Sequence, residues 1–170
     1  MGARIWWQWL SAPNKPWGTI WTAKYANHRP AEELIRFTPA EKGSLIWNAA
    51  SQHFLLIQQH SFWEIRSGST ARFWADAWNH FPRLDRILHL LPSHDWEEQQ
   101  KETVKQQWSQ EIEQGYRQWK HSDRLIRNVD NQTRENLERE LQKRRIRYSE
   151  GKDLLRWGYT PRGSFTMKEA

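Results

Sequence analysis

The stretch "FWEIRSGSTARFWADAW" occupies residues 62–78, and its reading decides the fold. Trp63 and Ile65 alternate with Glu64 and Arg66, the period-2 pattern of a half-buried strand. Ser67 and Gly68 supply turn chemistry, after which Arg72, Phe73 and Trp74 resume an extended pattern. The stretch therefore predicts a β-hairpin over 62–75. Asp76, between Trp74 and Trp78, reads as a cap or turn carboxylate.

Upstream of the hairpin the apolar spacing is helical. Ile5, Trp6, Trp9 and Leu10 share one face, and Trp17, Ile20, Trp21 and Tyr25 repeat with helical spacing after the turn at Pro13–Pro16. Arg29-Pro30 ends that second helix, and Ala31–Phe37 allows a helical turn before Pro39. Ser44 then opens a helix through His60, with Ile46, Ala49, Ala50, His53 and Ile57 along its inner side.

Downstream, Pro82 and Pro92 bracket a short helix, and from Asp95 the chain becomes polar and highly charged. Val104, Trp108, Ile112, Tyr116 and Trp119 form a narrow stripe that predicts an amphipathic helix. A break at Asp130–Thr133 precedes a third long helix over 134–148, supported by Glu135/Arg139 and Glu140/Arg144 pairs four residues apart. Residues 153–170 read as two strands around a turn at Thr160–Gly163. The expected fold is mostly α with two β-hairpins, an α+β chain: a small, marginal helical connector with a long charged helical segment. Its expected parts are a Trp-rich helical connector over 1–92, a charged helical segment over 93–150 and a terminal hairpin over 151–170.

Composition sets the limits of such a fold. Leu, Ile, Val and Phe number 32 among 170 residues, a sparse core inventory, and thirteen tryptophans fill the gap. Each Trp buries ~150 to 250 Å², so these rings dominate whatever core forms. The net charge of +6 favours polyanions in general. Residues 1–100 hold ten Lys/Arg against nine Asp/Glu, whereas 101–170 hold sixteen against eleven, so the excess lies in the second half.

The same inventory excludes several chemistries. With no cysteine, disulfides and Cys-containing zinc sites are out, and an intracellular setting fits, nucleus or cytoplasm being left open. No apolar run approaches ~18 residues, so no membrane partner is expected. The adjacent acids Glu32-Glu33 and Glu97-Glu98 sit at polar helix starts, where they complement the helix dipole and do not suggest a two-metal centre. The seven histidines lack ligand spacing, the serines lie in no nucleophile elbow and the glycines form no phosphate loop. Neither a metal nor another cofactor is expected, and no residue qualifies as catalytic.

Binding features are easier to find. The run Lys143-Arg144-Arg145-Ile146-Arg147 is the strongest electrostatic feature. It reads either as a solvated helix end or as a phosphate-contacting or nuclear-import segment. Arg66 and Arg72 add positive charge to the hairpin. The tryptophans invite base stacking, but their helical spacing over 5–25 and 104–119 points to core packing.

"GSLIWNAA" at 43–50 followed by "FWEIRSGSTARFWADAW" resembles the segment of plant LINE-type (non-LTR) retrotransposon polyproteins that follows the reverse transcriptase domain. In that family a Gly-Ser-aliphatic-Trp helix start precedes a Trp-x-Ile-x-x-Gly hairpin closed by Phe-Trp-x-Asp-x-Trp. The matching positions here are Trp47, Trp63, Gly68, Phe73, Trp74, Asp76 and Trp78. "GARIWWQW" and "PWGTIWTAKY" are similar to the family's preceding helices, the latter through Trp17, Trp21, Lys24 and Tyr25. "DLLRWGYTPRGSFTMKEA" is similar to the opening of its zinc-binding region, through Asp153, Trp157, Gly163, Phe165 and Ala170. The stretch 95–150 matches least specifically.

The resemblance implies descent from a reverse transcriptase without reverse transcription. The family's polymerase aspartates would lie before Met1 and its Cys/His cluster beyond Ala170. Two classes of function follow. One is a non-catalytic connector that binds RNA or DNA through Lys143, Arg144, Arg145, Arg147, Arg66 and Arg72. The other is a co-opted regulatory or protein-interaction element that meets its partner through exposed parts of the Trp stripes. A transposon relic without a selected role is a third reading. Oligomeric state is left open.

Overall fold

The computed structural model describes residues 2–40, 42–87, 96–107, 112–113, 116–117, 130–143 and 149–158. The chain is mostly α with short strands, an α+β fold as expected. Its elements are α1 (Gly2–Ser11), α2 (Pro16–Tyr25), a 3-10 turn (Ala31–Glu33), α3 (Leu45–Ser51), α4 (Phe54–His60) and β1 (Ser61–Glu64). Then come α5 (Leu84–Ile87), α6 (Trp96–Gln99), α7 (Val104–Gln107), β2 (Ile112–Glu113), β3 (Tyr116–Arg117), α8 (Asn131–Lys143) and β4 (Leu154–Trp157). β2 pairs antiparallel with β3, Ile112 opposite Arg117 and Glu113 opposite Tyr116. Two compact units emerge, residues 1–61 with 155–170 and residues 62–154. The composition change near Asp95 falls inside the second.

The first unit is built on indole rings. Helix α1 packs on α3 and α4, burying Ala3, Trp6, Trp9 and Leu10, while Ile5 stays at the margin. Trp47 of α3 is the hub. It is fully buried, stacks on Tyr25 at 4.0 Å, and meets Trp6, Trp9 and Trp21 at 5.4, 5.8 and 5.4 Å between ring centroids. Its indole N–H donates to the Ala40 carbonyl at 3.1 Å, and Ser44 caps α3 by accepting from the Trp47 amide at 3.2 Å. Gly43 is dictated by this ring, since a Cβ there would lie 2.2 Å from Trp47 Cδ1. Trp157, also buried, meets Trp7 at 5.7 Å and His60 at 6.0 Å.

Two helical registers differ from the expectation. The predicted helix through His60 breaks at Gln52-His53, and its buried stripe is Trp47, Ala50, Phe54 and Ile57. Ile46 is 59% exposed, because burying the larger Trp47 ring rotates its neighbour outward. In α2 Ile20 is 64% exposed, whereas Gly18 is buried and Trp21 turns toward the cluster.

In the second unit the predicted hairpin over 62–75 gives way to a different arrangement. β1 ends at Glu64, residues 65–71 form a bent loop, and Arg72 bridges to Thr103 instead of returning to β1. Trp63 pairs instead with Trp78: its amide donates to the Ala77 carbonyl at 2.8 Å, and its carbonyl accepts from the Asn79 amide at 2.8 Å. A tight hairpin does occur, one turn later. Trp78 and Phe81 exchange backbone bonds at 3.1 and 2.7 Å across Asn79-His80, whose φ values of 43° and 64° are both left-handed. That is the backbone of a two-residue turn, and Asn is the residue type best suited to its first position.

The predicted helix over 104–119 is also replaced, by α7 and then the β2–β3 pair. The β-prone Ile112 and Tyr116 favour that change. The third long helix forms as α8. Asp130 caps it by accepting from the Thr133 amide at 2.9 Å, which turns the predicted break into a helix start. Arg139 donates to Asn136 at 3.4 Å, three residues back, instead of reaching Glu135.

Candidate functional site

The most organised polar site is a loop wrapped around one carboxylate. Asp153, just before β4 and 4% exposed, accepts four backbone N–H bonds from residues 66–71. Its Oδ1 receives Arg66 and Gly68 at 2.8 Å each, and its Oδ2 receives Thr70 at 2.8 Å and Ala71 at 3.0 Å. Among the described residues no Lys or Arg pairs with this carboxylate; it is held by neutral amides alone. Gly68 occupies the bend at φ 70°, a conformation that a side chain disfavours.

The loop is held from behind by other parts of the unit. The Gly68 carbonyl accepts from Lys105 at 2.8 Å and the Ala71 carbonyl from Val104 at 2.9 Å, so the first amides of α7 bind its outer edge. The Asn79 side chain accepts from the Ile65 amide at 2.8 Å, and Asp76 Oδ2 accepts from the Arg72 amide at 2.7 Å. Asp76 is thus the turn carboxylate that its position suggested, buried within one turn of chain.

The aromatic signature residues line the same unit's interior. Phe73, Trp74 and Trp78 are 0, 1 and 0% exposed. Trp78 donates its indole N–H to the Phe73 carbonyl at 2.9 Å, and Trp74 meets Phe73 and Trp96 edge-on at 5.0 and 5.9 Å. Buried rings offer no face to a base. Trp47, Trp63, Trp74, Trp78 and Trp157 are therefore closed to stacking in the folded chain.

The predicted cations divide by position. Arg66 and Arg72 both anchor the loop region through their backbone amides, and the half-exposed Arg66 side chain lies 4.0 Å from Glu64 Oε1. Lys143, at the end of α8, is exposed and pairs with Glu140 at 2.7 Å. Arg144, Arg145, Arg147, Gly163 and Phe165 lie outside the described residues.

Asp153 was visible in sequence as a family-like position, but its partners lie 82 to 87 residues away, so no local pattern signals its role. Asn79 left a fainter trace, as a turn-forming residue after Trp78. Among the described residues no three His, Cys, Asp or Glu side chains gather as a metal site, and no helix is long and apolar enough to cross a membrane. Comparison of the chain with protein-family models, curated proteins and solved structures finds no match.

Proposed function

We propose that the chain is a non-catalytic, nucleic-acid-binding connector module of the LINE reverse-transcriptase kind, working inside the cell in nucleus or cytoplasm. The observation that carries this reading is the fate of the signature positions. Trp47, Trp63, Gly68, Phe73, Trp74, Asp76, Trp78 and Trp157 are all buried, and Trp47, Asp76 and Trp78 spend their polar side-chain groups on internal bonds. Such residues hold a wall together. Contact with RNA or DNA then falls to the basic side chains, namely Arg66, Arg72 and the run Lys143, Arg144, Arg145 and Arg147.

Filter binding of RNA and DNA over a salt series tests it. Binding should weaken linearly on a log-log plot, and replacing Arg144, Arg145 and Arg147 together by Ala should flatten the slope by about 2 to 3. A salt-independent signal, or unchanged affinity in the triple variant, refutes the role given to that run.

A second reading has its own support. Ile20, Leu45, Ile46 and Leu55 are 64, 88, 59 and 62% exposed, a density of solvent-facing aliphatic residues that suits a protein-interaction element. Affinity capture that returns no protein partner removes this alternative.

A further inference from the structure

We infer that residues 66–71 form a preorganised receptor for a carboxylate, of which Asp153 is the built-in and replaceable ligand. The donors are local and the acceptor is distant. All four N–H groups come from six consecutive residues, whereas Asp153 arrives from 82 to 87 residues further along. Most of what shapes the loop is independent of the segment that brings the carboxylate. Val104 and Lys105 bind its carbonyls, Asn79 fixes Ile65, and Asp76 fixes Arg72; Ser149, whose amide meets the Arg66 carbonyl at 3.3 Å, belongs to the incoming strand region.

The donor pattern defines the ligand class. Two amides converge on each of two oxygens, which matches a planar carboxylate with its two equivalent acceptors. Successive N–H groups pointing into one concavity form an anion-binding nest, and here its contribution is wholly dipolar. A single planar anion fills it. Tetrahedral phosphate spreads its oxygens over a wider volume and leaves two of them facing buried surroundings without donors.

The test is chemical rescue in the full chain. Asp153→Gly removes the built-in carboxylate and leaves the loop sequence untouched. Its thermal midpoint should fall below that of the parent and then recover saturably with sodium formate, by about 3 to 6 °C at ten times the half-saturating concentration. Half-saturation should lie no tighter than the millimolar range, given the small size of formate. The amide resonances of Arg66, Gly68, Thr70 and Ala71 should move together along the same titration. Asp153→Asn, which keeps the cavity filled, should not respond.

Formate acting no better than chloride at equal ionic strength overturns the proposal. So does an equal response in Asp153→Asn, which would put the effect elsewhere. Rescue by phosphate as good as by formate overturns the assignment to carboxylates. If Asp153→Gly does not fold alone, refolding yield becomes the readout: recovery with formate supports a receptor, and no recovery shows that Asp153 organises the loop and does not merely fill it.

Discussion

Replacing Trp47 with Ala should remove the hub of the first unit, and the size of the loss follows from its surroundings. The side chain is fully buried and touches four other indole or phenol rings. Burial of ~150 to 250 Å² at ~25 cal/mol/Å² corresponds to about 4 to 6 kcal/mol, and the area that Ala keeps buried, with partial collapse of the site, brings the expected cost to ~3 to 5 kcal/mol. Loss of the donor also leaves the Ala40 carbonyl without its indole partner. Domains have only ~5 to 15 kcal/mol in total, so this one ring carries a large share. At about 2 to 4 °C per kcal/mol for a chain of this size, the midpoint should fall by about 6 to 20 °C. Circular dichroism at a helix band follows the transition without depending on the altered indole. Leu45→Ala and Ile46→Ala are the internal controls, each expected within ~0.5 kcal/mol because both side chains are mostly exposed. A midpoint for Trp47→Ala close to that of the parent, or an Ile46→Ala cost of equal size, would refute the register and with it the account of the core.

Trp74→Ala should cost ~3 to 5 kcal/mol by the same logic, since that ring is 1% exposed; an unchanged midpoint would mark it as a surface contact. His28→Gly should raise the midpoint by about 1 to 4 °C, because the exposed His28 is held at φ 56°, where glycine is unstrained; a lower midpoint would refute strain at that position. The Asp130 carboxyl is held below its ordinary value, first by the Thr133 hydroxyl and then by the Thr133 amide. The stabilisation of α8 from this cap is complete above the unfolded carboxyl pKa of about 3.9 and disappears as pH falls through the lower folded value. The protection factors of the Thr133 and Arg134 amides, corrected for the intrinsic exchange rate, should fall as the pH drops through that acid window in the parent, and pH-independent protection there would dismiss the cap.

Much of the fold was legible because helical spacing and capping are local. Ser44, Pro16 and the alternation around Trp63 mark the starts of α3, α2 and β1 within a few residues of sequence. Register was harder. Ile46 and Trp47 are adjacent apolar residues, and only the assembled ring cluster decides which of them turns inward. The loop after β1 failed for a stronger reason. Ser67-Gly68 does bend the chain, but the partners of the bend are Asp153, Val104 and Lys105, all far away in sequence. Asp76 was read correctly because its partner is four residues away. The basic candidates were legible as charge, which needs no tertiary contact to be seen, and Lys143 shows that a neighbouring Glu140 already claims part of that charge.

The Asp153 contact also imposes a timetable on synthesis. The Gly68 amide precedes its acceptor by 85 residues, so at ~5 to 20 residues per second about 4 to 17 s elapse between the two leaving the peptidyl-transferase centre. During that interval the loop's four amides have only water, or a borrowed anion, as partners. A nascent chain that has not yet released residue 153 would therefore present an incomplete unit to chaperones and proteases. Closure of this loop thus waits on a residue translated 85 positions after the Gly68 amide.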